Sequence, residues 1–189
     1  MIIDLSEDGR FAVVSAFTVP PAMDPSLTLK ELRTAILGSE IQFLDGARIA
    51  GKEHLEIAAI NASHAFKTGI NISRSLAMET LLYASAQRQI DAAIAKVGVN
   101  RDSKTVGFVA FSETENDARI LEDRIAQFVG IELDEGLLDQ WSKEKADSMA
   151  TLYGIGAREL KAIKMPDQEA EIAIKKAVAE RVAILSTRI

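Results

Sequence analysis

Seven polar side chains near the middle of the chain have the chemistry needed to bind single-stranded RNA. Lysine and arginine can contact phosphates, and asparagine and glutamine offer both donors and acceptors to base edges. The residues are Lys67, Asn71, Arg74, Ser85, Gln87, Arg88 and Gln89. Their spacing is equally typical of a plain solvated helix face, and taken alone it favours that interpretation.

Glu79 is a second candidate, because it falls inside the apolar stripe of a predicted helix. A buried carboxylate could act as a general acid or base, here together with Tyr83 or His54. The alternative is structural: the carboxylate accepts hydrogen bonds from nearby backbone N–H groups, or from Arg74 or Arg88. The structural interpretation is favoured, since it is the more common fate of such a group.

The remaining reactive residues do not form a recognisable catalytic or metal site. His54 and His64 lie on one predicted helix but point in nearly opposite directions, so they do not predict a shared metal site. The phosphate-binding patterns GxxxxGK[ST] and GxGxxG are absent from the sequence, which argues against nucleotide hydrolysis. We therefore expect no catalytic residue, no bound metal and no cofactor.

The composition limits the classes of function. The chain has 189 residues, a net charge of -6 and no cysteine. The excess of acid argues against a general polyanion binder, so any nucleic-acid contact must be local. The lack of cysteine excludes disulfides, thiol catalysis and thiolate metal sites. The acidic N-terminus is unlike a signal peptide and no stretch approaches the roughly 20 apolar residues of a membrane span, so we expect a cytoplasmic protein.

Short β-branched and aromatic runs predict the strands. These runs are residues 1–5, 11–19, two within 40–50, and 105–111. The turn residues Glu7-Asp8-Gly9 predict a hairpin between the first two strands. Asp45-Gly46 is the strongest short-range hairpin signal in the chain and predicts a second one.

Helical periodicity and capping residues predict the helices. These helices lie within residues 26–37, 52–67, 71–97, 112–130, 137–152 and 157–163, and from 165 to the end of the chain. Ser26 or Thr28 can cap the first helix, and Ser112 or Thr114 can cap the one that ends at Gly130. The helical segments outnumber the strands, and the strands do not alternate regularly with them. We therefore expect an α+β fold, with a small, largely antiparallel sheet packed against several helices in a single domain over residues 1–189.

The last helix has an apolar stripe that allows two interpretations. It is predicted to begin at Met165-Pro166-Asp167, where proline suits the first turn of a helix. Its stripe consists of Ile174, Ala177, Val178, Val182 and Leu185. The stripe either packs internally or forms a groove for a helix of another protein.

Two stretches of the sequence resemble a known family. They are Gly46-Ala47-Arg48 with Lys52 and His54, and the run NISRSLAMETLLYASAQRQI from Asn71 to Ile90. Together they resemble the kinase-binding small subunit of the KEOPS complex, the PRPK-binding protein family. The resemblance is most specific within residues 79–82 and 85–90. It covers residues 46–97 well, and residues 1–26 and 131–166 only loosely.

The resemblance implies a non-catalytic subunit that binds and stimulates the small atypical protein kinase of the complex. It also implies a role in tRNA modification, in which the complex makes threonylcarbamoyladenosine and this subunit recruits tRNA by its single-stranded 3′ CCA end. The seven polar residues are then the expected tRNA-binding residues. Val178, Val182 and Leu185 on the last helix are the expected kinase-binding residues. The alternatives are a structural adaptor without RNA contact and a small acid/base enzyme that uses Glu79.

Overall fold

A four-stranded sheet forms the centre of the fold. The computed structural model of the protein describes residues 1–163 and 170–187. Within them one antiparallel sheet has the strand order β1-β2-β4-β3. Its strands are β1 (Ile2–Leu5), β2 (Arg10–Thr18), β3 (Glu40–Asp45) and β4 (Thr105–Ser112). The predicted α+β class is confirmed, and so is the first hairpin, in which β1 and β2 pair directly.

The second predicted hairpin is wrong, because only one strand lies within residues 40–50. After β3 the chain enters a 3-10 turn at Gly46–Arg48, and the Asp45 carboxylate accepts a hydrogen bond from the Ala47 N–H at 3.1 Å. Glycine at position 46 allows the chain to pass close to β4, and it does not mark a hairpin turn. A Cβ there would lie 2.9 Å from a side-chain carbon of Thr105. β3 pairs with β4 instead, across three intervening helices.

Eight α-helices flank the sheet in the described part of the chain. They are α1 (Pro25–Ala35), α2 (Lys52–Thr68), α3 (Leu76–Ser85), α4 (Ile90–Val97), α5 (Glu115–Val129), α6 (Lys143–Leu152), α7 (Ala157–Ile163) and α8 (Ala170–Ala183). Asp24, and not Ser26 or Thr28, caps α1 by accepting from the N–H groups of Ser26 and Leu27. Thr114 caps α5 as predicted. Across both described ranges, none of the helices is long and apolar enough to cross a membrane.

Two predicted helices are divided in the structure. The segment 71–97 forms α3 and α4, which are separated by residues 86–89. Ala86 adopts a left-handed conformation at φ 52°, and the Gln87 N–H donates to the Leu82 carbonyl at 3.1 Å, which closes the end of α3. The segment 137–152 is a 3-10 turn at Glu135–Asp139 followed by α6. The predicted helix entrance at Met165-Pro166-Asp167 lies outside the described residues.

Alternating strand residues build a separate hydrophobic cluster on each face of the sheet. On one face, Val13, Phe43 and Phe108 pack with the buried side of α1 and α5. On the other face, Val14 and Leu44 pack with α2, α3, α4 and α8. All seven predicted polar residues belong to α2, to α3 or to the loops that connect α2, α3 and α4, so they lie on this second side.

Candidate functional site

Glu79 organises the loop that leads into α3. Its side chain is fully buried, and its carboxylate accepts hydrogen bonds from the N–H groups of Ile72 and Ser73 at 2.7–3.1 Å. These bonds give both carboxylate oxygens a hydrogen-bond donor from the backbone. Glu79 therefore occupies the structural role that the sequence favoured, with backbone amides as its partners.

A second carboxylate, which sequence reasoning missed, holds the same region from the sheet side. Glu40 at the start of β3 accepts from the Ser75 hydroxyl at 2.8 Å and from the Ala77 N–H at 2.9 Å. Ser75 itself caps α3 by accepting from the Met78 N–H. Glu40 and Ser75 are 35 residues apart, so no local pattern could have paired them. The loop before α3 is thereby fixed to the sheet.

His54 lies at the opposite end of α3 and is held by backbone on both sides of its ring. Nδ1 accepts from the Ala50 N–H at 3.0 Å, which places the ring proton on Nε2, and Nε2 donates to the Ala84 carbonyl at 2.8 Å. Burial, together with the nearby charges of Lys96 and Lys145, lowers the pKa of His54 to about 4, although the hydrogen bond to Ala84 opposes this shift. The imidazole is therefore neutral at physiological pH.

Tyr153 joins His54 at the same carbonyl. Its hydroxyl donates to Ala84 at 2.9 Å, and its ring meets the His54 ring edge to face at 5.7 Å between centroids. Burial raises the pKa of the Tyr153 hydroxyl above its ordinary value. Tyr153 follows α6, in a segment where the sequence resemblance was loose, and no sequence signal pointed to it. The Ala84 carbonyl, near the end of α3, is thus fixed by two buried donors.

These bonds bear directly on the acid/base alternative. Both oxygens of Glu79 and both ring nitrogens of His54 have backbone partners. A general acid or base needs a position beside it for the reacting atom. Both residues are also buried, so neither presents such a position at the surface in this arrangement. Among the described residues, no group of three or more His, Asp or Glu side chains could hold a metal ion.

The seven polar residues do not form one cluster, because they divide between the two ends of α3. Lys67, Asn71 and Arg74 lie before α3, whereas Gln87, Arg88 and Gln89 follow it. A helix of ten residues is about 15 Å long, so the two groups are separated by roughly that distance. The structure therefore separates these residues into two groups, one at each end of α3.

The first group is partly engaged in local contacts. The Lys67 ammonium lies 3.4 Å from the Asp8 carboxylate and also donates to the Glu7 carbonyl. The Asn71 amide donates to the Ser73 carbonyl at 2.8 Å. Arg74 is exposed. This group therefore offers mainly the Arg74 guanidinium to a partner.

The second group presents one turn of polar side chains to solvent. Arg88 and Gln89 are exposed and Gln87 is half-buried. Ser85 was predicted to belong to this surface, but its side chain is fully buried and its hydroxyl donates to the Leu82 carbonyl at 2.9 Å. In this conformation Ser85 cannot contact a ligand at the surface. The outward turn is thus Gln87-Arg88-Gln89, and we call these three residues the α3–α4 turn.

Two isoleucines extend this surface along α4. Ile90 is 42% exposed and Ile94, one helical turn further, is 48% exposed. Residues four apart share one face of a helix, so the two side chains form an apolar strip that begins beside Gln89. The site therefore combines polar groups suited to base edges with an apolar surface next to them.

The three predicted kinase-binding side chains lie inside the protein. Val178 and Val182 are fully buried and Leu185 is 2% exposed, all in the core that α8 shares with α2 and α3. The apolar stripe of α8 therefore packs internally. A kinase that contacts α8 in this conformation would meet the outward face of the helix and not these three side chains.

The comparisons with known proteins identify the family. A search of curated proteins finds no match to the chain. The model of the family described as kinase binding protein CGI-121 matches residues 27–186. This match includes residues 131–166, where the sequence resemblance was loose, and leaves residues 1–26 outside. Because the match spans most of the chain, the protein belongs to the CGI-121 family of kinase-binding proteins.

Proposed function

We propose that this chain is a non-catalytic subunit of a KEOPS-type complex, which binds the small atypical protein kinase and recruits tRNA by its 3′ CCA end for threonylcarbamoyladenosine modification. The single observation that carries the kinase-binding part is membership of a kinase-binding family. The backbone bonds to Glu79 and His54 support a subunit without acid/base chemistry of its own. As a complex subunit acting on tRNA, the protein would work in the cytoplasm.

The α3–α4 turn is the part of the surface that best suits a single-stranded RNA end. Its two glutamines can donate to and accept from base edges, and Arg88 can contact a phosphate. The exposed Ile90 and Ile94 beside it offer apolar contact to an unstacked base. The backbone just before the turn is also fixed, because the Ala84 carbonyl accepts hydrogen bonds from His54 and Tyr153. A supported surface loses little conformational entropy when it binds a flexible strand.

Lys67, Asn71 and Arg74 enter the proposal as a second, weaker contact for the same RNA strand. Arg74 supplies a phosphate partner at the other end of α3, about 15 Å away. Lys67 already has acidic and carbonyl partners, so its contribution is expected to be small.

The substitution Arg88→Glu tests the RNA-binding part. We expect the affinity for tRNA to fall by about tenfold or more, since one phosphate contact is replaced by repulsion. The variant should remain folded, which thermal unfolding verifies, and should still co-purify with the kinase. Arg124→Glu is the matched control, because it changes the charge equally at an exposed position of α5 on the other face of the sheet.

Electrophoretic mobility shifts measure the tRNA affinity of the parent and of both variants. If Arg88→Glu and Arg124→Glu bind tRNA equally well and with the same salt dependence as the parent, the RNA assignment is wrong. The protein would then be a structural adaptor that binds the kinase alone.

A further inference from the structure

Lys96, at the end of α4, holds a half-buried positive charge without an anionic partner in the described residues. Its Nζ lies 4.1 Å from the centre of the Tyr153 ring, a cation–π contact. Among residues 1–163 and 170–187, no hydrogen bond or ion pair to this ammonium group occurs. Burial and, to a smaller extent, the charge of Arg181 lower the pKa of Lys96 to about 8. The folded protein therefore keeps a cation here at some energetic cost.

The neighbouring cations differ from Lys96 because each has acceptors of its own. Arg181 forms a two-pronged ion pair with Glu159 at 2.7 and 2.9 Å. Lys145 donates to backbone carbonyls at 3.1 and 3.3 Å. Arg48 donates to the Ala95 and Lys96 carbonyls and lies 3.6 Å from the Asp45 carboxylate. Lys96 is thus the cation of this group that still lacks an oxygen ligand in the described residues.

Lys96 also lies close to the α3–α4 turn. Gln89 is the N-cap of α4 and Lys96 lies seven residues further along the chain, so the two residues are on one side of the helix and about 10 Å apart along its axis. The Tyr153 ring connects the two places directly, because it contacts Lys96 with its face and Ala84, near the end of α3, with its hydroxyl. A strand with its end at the turn would therefore have its next phosphates within reach of Lys96.

We propose that Lys96 binds a backbone phosphate of the RNA strand, on the 5′ side of the nucleotides that contact the α3–α4 turn. This inference rests on the proposed RNA-binding function. Phosphate oxygens would supply the missing acceptors, and a lysine ammonium is a suitable point charge for them. The cation–π contact with Tyr153 keeps the ammonium in place before the strand arrives. The contact would add affinity without reading a base.

The test compares Lys96→Gln with Lys30→Gln. Lys30 is an exposed residue of α1, on the other face of the sheet, and its substitution removes the same charge. Binding of full-length tRNA and of a CCA trinucleotide is titrated at several salt concentrations. For Lys96→Gln we expect tRNA to bind about fivefold more weakly. The slope of log affinity against log salt concentration (the salt slope) should fall in magnitude by about one, and the affinity for the trinucleotide should not change. Lys96→Arg should keep most of the tRNA affinity.

The outcomes separate this inference from the proposed function. If Lys96→Gln binds tRNA with the affinity and salt slope of Lys30→Gln while the parent binds the trinucleotide, the inference is overturned and the proposed function stands. If the parent binds neither RNA, both are overturned. Loss of kinase binding by Lys96→Gln, with tRNA binding intact, would overturn the inference in favour of a protein carboxylate. Removal of a half-buried charge that lacks an acceptor should not lower the unfolding midpoint, and thermal unfolding verifies that each variant is folded.

Discussion

His54 shows how a single buried residue couples the stability of this protein to pH. The folded state holds the ring neutral with a pKa of about 4, whereas an unfolded histidine titrates near 6.5. Between these two values the unfolded chain binds more protons than the folded chain. This contribution to stability is therefore fully present above about pH 6.5 and is lost as the pH falls towards 4.

We expect His54 to account for about 3 kcal/mol of lost stability between pH 7 and pH 4, which is the pKa difference expressed as free energy. Lys96, Lys145 and Tyr153 face the ring, and the two lysines act in the same direction by disfavouring its protonated form. Urea unfolding of the parent and of His54→Gln at several pH values measures the effect. The variant should be less stable at pH 7 but should lose less stability on acidification.

The exposed histidine supplies the control for this measurement. His64→Gln removes a surface ring on α2 and should retain the acid-dependent loss of the parent. If His54→Gln and the parent have parallel stability profiles from pH 7 to pH 4, the imidazole is not buried in its neutral form.

At the scale of elements, the helix ends show what the sequence could predict and what it could not. Gly69 and Gly130 end α2 and α5 in the left-handed conformation. Glycine at these positions predicts the ends of the two helices from the sequence alone. Ala86 adopts the same conformation at the end of α3 without being glycine. The apolar periodicity continues across it, so the pattern predicted one helix where the structure has two.

The strained residue leads to a stability prediction. Ala86→Gly should stabilise the protein by about 1 kcal/mol, because glycine adopts the left-handed conformation without a Cβ clash. Ala92→Gly within α4 should destabilise it by about 1 kcal/mol, through the poor helix propensity of glycine. Chemical denaturation of the two variants measures whether each substitution raises or lowers the free energy of unfolding. A destabilised Ala86→Gly would mean that α3 continues through this position.

At the scale of the whole molecule, the sequence predicted the α+β class and most helices, because these depend on local periodicity. It did not predict which distant residues meet. Glu40 with Ser75, and Tyr153 with Ala84, are joined only by the folded chain. The last helix shows the same limitation of local patterns. The apolar residues Val178, Val182 and Leu185 could belong either to the core or to a binding face, and in the structure they lie in the core.

The charge distribution of the whole molecule is consistent with recruitment of a specific RNA end. A chain with net charge -6 has no overall electrostatic attraction for nucleic acid. Arg48, Arg88, Lys96 and Arg181 nevertheless all lie on the side of the sheet that carries α3 and α4. Binding should therefore depend on a particular structural feature of the RNA and not on its total charge.

The most direct test of the account is the affinity of the purified protein for one tRNA prepared with and without its 3′ CCA nucleotides. The two RNAs have nearly the same total charge, so a general electrostatic attraction would bind them alike. We predict that the trimmed tRNA binds at least about tenfold more weakly, since base contacts at the α3–α4 turn are lost. Equal affinity for the intact and the trimmed tRNA would contradict recognition of the 3′ end.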